Sequence, residues 1–396
     1  PRLGKLIVLG ACFGAIDEAL TIAAALASRS PFMSPFDRRE QASWSRRDFA
    51  GGSQSDYLAV MRAYSEFDSY SRSDRYRFAR DRFLGIKTLQ GIGSLKRQLL
   101  ETMSAANLAP AGLRAGYVEM LGRKTDGSDG VRVALERAAE ERGMEPPREA
   151  PEVLLTALLC AALHPQLSYV HAPLSKKGKP ADPSQIKLHI REPTGESREP
   201  TEAVIHPSSV NVVVRGDEWL SPYAAYHEAC FTTKLYVRGC TPVPPLAPLI
   251  FSGSELQVRR KGAARRGGRA TAADASSVVT LDNWLSMQMD SELAPLLLSL
   301  RTRVDELFEQ LVRRASEAGR SGGRGGRAQK GASVDAHSDP AFLELKRSII
   351  ILLQDALVDP LPPPQKKKPP LAKSKKKGGG RSRASGAQRR RRRREY

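Results

Sequence analysis

The hydrophobic pattern of this chain changes period near Pro151, and that change restricts the fold more than any single motif does. Before it, segments such as DYLAVMRAYSEFDSY and TLQGIGSLKRQLLETMSAANL set apolar residues three and four apart, the spacing of amphipathic helices. After it, one apolar helix, EVLLTALLCAALHP, precedes short β-type runs: IKLHI, AVIHP, VNVVV, TKLYVRGCTPV and PLIFSG. Pro, Gly and charged loops separate these runs, which fits a small barrel better than a parallel sheet. The expected class is α+β, a helical module followed by a small five-stranded β-barrel with flanking helices and a disordered basic tail. The expected boundaries are 1–113 for the helical module, 114–150 for a polar connector and 151–312 for the barrel domain. A Gly/Arg linker follows over 313–338, then a helix over 339–359 and the tail over 360–396.

The tail dominates the electrostatics. From Leu361 to Tyr396 there are fifteen Lys or Arg against one acid, Glu395, which leaves about +6 of the +20 net charge for the rest of the chain. Such a segment is solvated and attracts polyanions, with an affinity that falls steeply with salt. The run of six arginines at 389–394 also has the composition of a nuclear or nucleolar address, with a cytoplasmic location as the alternative.

The stretch AIDEAL at 15–20 follows an apolar run and has the look of the acidic box of an ATP-driven motor. A motor needs a Gly-rich phosphate loop ending in Gly-Lys-Ser/Thr, and no Gly-Lys pair here stands in that frame. Asp17 is therefore expected to cap the helix that follows, as Asp56 caps the next one. Cys12, Cys160, Cys230 and Cys240 lack C-x-x-C spacing, which suggests a reducing compartment. Cys160 with His164, and Cys230 with His227, do not make a zinc spacing, so neither a metal site nor a catalytic residue is expected. No apolar run is long enough to span a membrane. Beginning at Pro1, the chain is expected to be a piece of something longer.

The run GKLIVLGACFGAIDEALTIAAALASRSPFMSP, then SDYLAVMRAYSEF and RFLGIKTLQGIGSLKRQLL, resembles the helicase-associated ratchet region of DEAH/RHA-type (DExH-box) RNA helicases. Farther on, LLCAALHPQLSYV, AVIHPSSVNV, YAAYHEACFTTKLYVRGCTPVPPLAPLIFSG and LDNWLSM resemble that family's C-terminal oligonucleotide-binding (OB) fold. The resemblance covers about residues 2–310. It implies that the start of the chain ends a winged helix, that AIDEAL opens a ratchet helix, and that the barrel is of OB type. The DEAH box, phosphate loop and arginine finger would lie upstream of Pro1, so ATP and magnesium would belong to motor domains outside this chain. Two departures stand out: Tyr57 where a His is usual, and the insertions RRKGAARRGGR and GRSGGRGGRAQK.

The implied function is that of an accessory region of an ATP-dependent RNA helicase, binding single-stranded RNA and coupling motor closure to translocation and unwinding. The alternative is a stand-alone RNA-binding or adaptor protein. Expected partners are single-stranded RNA, the motor domains of the same polypeptide, and protein activators at the OB fold. A channel wall for unstacked RNA needs cations for phosphates and flat or amide side chains for bases. Lys234, Tyr236 and Arg238 alternate onto one strand face, which is either an RNA wall or an ordinary solvated face. His206, Ser208 and Ser209 surround a Pro turn that either holds a phosphate or caps itself. Lys176 and Lys177 sit in a Gly/Pro loop that either contacts RNA backbone or is an ordinary solvated loop, and Lys96 and Arg97 lie on a helix expected to turn one cation toward the channel. Arg46, Arg47 and Arg62 read as surface charges.

Overall fold

The computed structural model describes residues 2–109, 113, 118, 120, 129–141, 143, 149–174, 177–191, 200–253, 255–261, 276–321, 340–355 and 358–362. Lys176, most of the connector, both basic insertions beyond Ser321 and Lys261, and the tail from residue 363 lie outside the described residues, while the first residues of the expected tail, Pro360 and Leu361, lie in a strand. The chain through Pro364 forms one compact unit.

Helices α1 (Arg2–Cys12) and α2 (Ile16–Leu26) form a hairpin, and α2 is buried along almost its whole length against α1, α4 (Asp56–Ser69) and α6 (Ile86–Ala105). Its small residues, Ala19, Ala23 and Ala24, let three neighbours approach at once. Helices α3 (Arg39–Ala50) and α5 (Asp74–Asp81) close the module, and α7 (Val131–Glu140) follows it. Helix α8 (Glu152–Leu163) is apolar all round because it packs on α1, on α9 (Ala247–Phe251), on α11 (Pro340–Asp355) and on strand β4 (Tyr223–Ala225).

The expected caps differ from the observed ones. Ala15 occupies the N-cap of α2 without a side-chain bond, while Asp17 lies in the first turn and pairs with Lys96. In α4 the cap is Ser55, whose hydroxyl accepts from the Leu58 N–H at 3.1 Å, and Asp56 points away to other partners.

Where a five-stranded barrel was expected, the described residues form two open sheets. One has seven strands in the order β5-β6-β3-β2-β1-β4-β7, comprising β1 (Leu167–His171), β2 (Lys187–Arg191), β3 (Pro200–Ile205), β4, β5 (Glu228–Phe231), β6 (Leu235–Arg238) and β7 (Thr241–Pro242). Its pairs are antiparallel except β3 with β6. Among the described residues the edges β5 and β7 do not pair, so the sheet is not closed. The other sheet runs β11-β10-β9-β8 from β8 (Leu256–Lys261), β9 (Ser276–Leu281), β10 (Leu285–Asp290) and β11 (Asp359–Leu361), and α10 (Leu293–Ser321) packs against β10. Among the described residues no helix is long and apolar enough to cross a membrane.

Two of the expected strands are not strands. VNVVV is a 3-10 turn over Val210–Val213, because Ser209 and Asp56 accept the Asn211 and Val210 N–H groups and the Asn211 amide is drawn to the Gln54 and Cys240 carbonyls. PLIFSG contributes to α9, which has Pro in its first turn. The Arg301 guanidinium donates to the carbonyls of Leu249 (2.9 Å) and Ser252 (2.7 Å) at its C-terminal end.

At the centre of the helical module Lys96 Nζ lies 2.7 Å from Asp17 Oδ1 and 2.7 Å from Asp129 Oδ2. Tyr64 Oη donates to Asp129 at 2.9 Å, and the Asp129 N–H donates to Asp68. Burial alone would lower the Lys96 pKa, but Asp129 and then Asp17 reverse this and hold it raised. Lys96→Ala leaves buried carboxylates uncompensated and is expected to destabilise the chain by about 3–5 kcal/mol. Urea unfolding measures this, and a loss below about 1 kcal/mol, the scale of an exposed pair, would refute the keystone role.

Candidate nucleic-acid interface

Strand β6 alternates as its sequence requires. Val237 is buried and Leu235 packs on the smaller core of the seven-stranded sheet, while Tyr236 and Arg238 occupy the opposite face and Lys234 is exposed just before the strand. Arg238 Nη1 donates to Glu228 Oε1 of the neighbouring strand at 3.2 Å, and its Nη2 lies 3.1 Å from His206 Nε2. The His206 ring meets Tyr236 edge-on with centroids 5.6 Å apart, and its Nδ1 is 2.7 Å from Ser208 Oγ. The two sequence-derived groups, far apart in the chain, are therefore one surface cluster.

Ser209 does not share that surface. It is 4% exposed, caps the 3-10 turn and bonds to Asp56, so its role is structural and the sequence assignment is corrected. Lys96 is corrected likewise, since it is 2% exposed and held by two carboxylates. Its neighbour Arg97 is half-buried and lines a separate cleft with Arg72, Arg75 and Tyr76. Lys177 is exposed, in a loop that returns toward the turn after β3, where Gly216 N–H donates to Ala181 O at 2.9 Å.

What fixes the cluster is a set of bonds from the helical module. Asp56 Oδ1 accepts from the Val210 N–H and Oδ2 from the Cys240 N–H, both at 2.8 Å. Burial raises the Asp56 pKa, and the bonds to Val210, Ser209 and Cys240 and the charge of Arg46 oppose that rise. Ser55 Oγ is 2.8 Å from Thr241 Oγ1, and Asn211 donates to the Gln54 carbonyl at 2.8 Å. Tyr57 lies edge-on to His227 at 5.9 Å and roofs Gly239. That glycine has φ +64°, and a Cβ there would stand 2.8 Å from the Tyr57 ring and 2.9 Å from His227 Cβ, so no other residue fits.

Arg46, a surface charge by its sequence context, is not one in the fold. It donates to the Ser208 carbonyl and lies 5.3 Å over the Phe32 ring, so it bridges α3 to the His206 turn. No local signal could have shown this, because the partners are 162 residues apart. Lys96 did leave a signal: Leu89, Ile92, Gly93, Lys96, Leu100 and Met103 form one buried helical stripe, with the lysine where an apolar residue belongs.

The pair Cys160 and His164 is also engaged elsewhere. Cys160 is buried beside Ser252, its thiol pushed up to about 12 by burial, and His164 Nε2 lies 2.8 Å from Asp282 Oδ2. Among the described residues no group of three or more His, Cys, Asp or Glu is placed to hold a metal ion.

Comparison with known proteins finds that the sequence is similar to helicases. Residues 1–81 match the helicase-associated domain (HA2), ratchet-like; residues 155–255 match the oligonucleotide/oligosaccharide-binding (OB)-fold; and residues 277–318 match the C-terminal domain in RNA helicases. The putative ATP-dependent RNA helicase DHX57 of Mus musculus is 35% identical over 319 residues, which are 80% of this chain and 21% of that protein. The ATP-dependent DNA/RNA helicase DHX36 of Mus musculus is 26% identical over 79% of this chain and 26% of its own length. The DExH-box ATP-dependent RNA helicase DExH1 of Arabidopsis thaliana is 26% identical over 79% of this chain and 25% of its own. The chain thus spans about a fifth to a quarter of the length of these relatives. Arg46 and Asp56 fall within the ratchet-like match and His206, Tyr236 and Arg238 within the OB-fold match.

Two measurements check this geometry. Burial, and then the Arg238 charge, lower the His206 pKa, so its NMR titration midpoint is expected below the ordinary value of about 6.5. Arg238→Gln should raise the midpoint, and an unchanged midpoint would dissolve the cluster. Asp56→Ala removes the acceptor for the Val210 and Cys240 N–H groups. It should speed hydrogen exchange at those amides while leaving β9 and β10 unchanged, and equal protection in both forms would show that Asp56 fastens nothing.

Proposed function

Since the chain belongs to the DExH-box RNA helicases as their C-terminal set of ratchet-like, OB-fold and C-terminal domains, we propose that it serves as the accessory region of such an enzyme. It binds single-stranded RNA and couples closure of the motor domains to translocation and unwinding. Nucleotide hydrolysis, with its ATP and magnesium, belongs to motor domains that the sequence of this chain does not encode.

The observation that carries this reading is the meeting of Arg46 from the helical module with Ser208, His206, Tyr236 and Arg238 from the sheet. Lys234 and Arg238 supply charge for phosphates, Tyr236 and His206 supply flat rings, and none of these groups reads a particular base. The cluster is also tied to α3 and α4, so a strand of RNA lying on it bears on both domains at once. Glu228 balances Arg238 when RNA is absent, and the pair is half exposed, so a phosphate exchanges for the carboxylate at small cost. The Gly/Arg segments and the basic tail add sequence-independent affinity and act as a nuclear or nucleolar address.

Binding of fluorescent single-stranded RNA across a salt series tests the proposal, comparing the full chain with a chain ending at Pro364 and with Lys234→Ala/Arg238→Ala. The shortened chain should still bind, with a shallower salt slope. The double substitution should weaken binding and reduce the slope by about 0.7 for each phosphate that is no longer neutralised. Binding that vanishes with the tail and ignores the double substitution would leave the folded part without an RNA face.

A further inference from the structure

Helix α11 and strand β11 lie outside the three segments that match known domains, and eighteen residues, 322–339, separate them from α10. Leu345, Ile349, and Leu352 with Leu353 stand four and then three residues apart, so α11 is apolar along one face. That face is the docked one. Ile349 is 0% and Leu353 5% exposed, in the core that α8 shares, whereas Leu343 and Ile351 on the rest of the helix are 39% and 57% exposed. Strand β11 then extends the four-stranded sheet, pairing Leu361 with Ser286, Pro360 with Met287 and Asp359 with Gln288. Pro360 lacks an N–H, which an edge strand tolerates. Docking also takes Lys346 out of water: burial lowers its pKa, and the charge of Glu18 on α2 opposes that shift.

The position of β11 matters because the basic tail starts at its end. Leu361 is followed by PPPQKKK, and the arginine run begins at Arg389, 28 residues beyond Leu361 and 68 beyond Ser321. Leu361 lies opposite Ser286, whose carbonyl accepts from Tyr223 Oη at 3.1 Å. Tyr223 in turn stands in one row across the seven-stranded sheet with Tyr169, His189 and Glu202. Tyr236 pairs with Val204, two residues along β3 from Glu202. Four strand spacings separate β4 from β6, about 19 Å, which puts Leu361 roughly 25–30 Å from the proposed RNA face. A solvated chain of 28 residues has a root-mean-square reach of roughly 30 Å, so the arginine run is tethered at a length that matches this span.

We propose that α11 and β11 form a strap that roots the cationic tail beside the RNA face, so that docking of the strap sets how strongly the tail assists RNA binding. With the strap on α8 and the β10 edge, the tail hangs from Leu361. With the strap released it hangs from Ser321, and the tether to Arg389 lengthens from 28 to 68 residues. Effective concentration falls roughly as the −3/2 power of tether length, about a threefold to fourfold loss, with no RNA-contacting residue altered. The occupant of α8 and the β10 edge is thus a segment of the same chain, and its docking is a control on binding. The inference rests on the RNA-binding reading above and names the regulation of that face.

The test uses the full chain and a labelled thirty-residue oligouridylate. Ile349→Asp/Leu353→Asp places two charges in the docked face of α11, and Leu343→Asp/Ile351→Asp places the same charges on the exposed one. Hydrogen exchange at β10 and β11 reads docking, and exchange at α4 and β6 confirms that the rest of each variant is folded. A third variant lacks residues 340–361, which removes the strap outright and leaves a tether of 46 residues, the 68 less the 22 deleted. The docked-face variant is expected to exchange faster at β11 and to bind about threefold to fourfold more weakly, the deletion about twofold, and the exposed-face variant like the parent. Parent-like affinity in both strap-released forms, with Lys234→Ala/Arg238→Ala weakened, overturns the strap and leaves the RNA-binding reading standing. Equal weakening in the two Asp variants traces the loss to charge and overturns the strap as well. If neither the strap variants nor Lys234→Ala/Arg238→Ala changes binding, both fall.

Discussion

A buried ammonium must be answered by charge, and Lys96 is the point on which the helical module turns. The lysine comes from α6, one carboxylate from the first turn of α2, and the other from Asp129 before α7, so three chain segments have to converge to within hydrogen-bond length. Tyr64 on α4 joins through Asp129, and Arg75 on α5 joins through Asp68. Exchanging such a centre for apolar residues is often neutral or stabilising, so its value lies less in net energy than in geometry. An apolar contact tolerates sliding, whereas this centre fails when any partner is displaced. Its charge state is also insensitive to moderate pH. The Asp129 pKa is held low by Lys96 against the effect of burial, so its contribution is present above the ordinary Asp range and lost only as pH falls below it. The raised Lys96 pKa keeps the lysine's contribution through the ordinary Lys range and loses it only above.

Fixing α4 fixes much else. Its N-terminal end carries Asp56, which holds the Val210 and Cys240 N–H groups, and Tyr57, which roofs Gly239. The turn after β3 and the end of β6 are thus set by a helix whose position is decided in the ion-pair centre. The buried Asp56 carboxylate is the weaker joint: burial raises its pKa, and only hydrogen bonds and Arg46 hold it back. The same logic recurs where Arg301 on α10 gathers the carbonyls at the end of α9. In each place a long-range polar contact fixes the ends of elements that apolar packing alone would leave free to shift.

These contacts also explain how far the sequence can be read. Helical periodicity places α4 and α6, and alternation places Tyr236 and Arg238 opposite Val237, because both depend on neighbours within one element. The ordered blocks of residues are enough to indicate the family. Closure of the barrel is not legible, since it depends on whether β5 and β7 meet, which no local pattern encodes. VNVVV has strand propensity and becomes a turn because Asp56, 154 residues away, takes its first N–H. Of the candidate site residues, those exposed by alternation come together, whereas Lys96 and Ser209 are taken by partners that sequence spacing does not reveal. Asp17 shows the same limit from the other side: its helix is legible, but the residue that looks like a cap is committed to the lysine.

The arrangement of polar contacts also bears on how force would pass through the proposed RNA face. Arg46 holds Ser208 by its backbone carbonyl, and Asp56 holds Val210 and Cys240 by their N–H groups. Because these are main-chain bonds, the turn is positioned without consuming the side chains of Tyr236 or Arg238, while the His206 Nδ1 accepts from the Ser208 N–H within the turn. Arg238 divides itself between Glu228 on β5 and His206 just after β3, and leaves donors of its fork for a further acceptor. The side chains facing outward are therefore available to exchange partners while the backbone beneath them is fastened to α3 and α4. The proposed RNA wall, which would have to release one phosphate and accept the next, would require that division between an exchangeable surface and a fixed support.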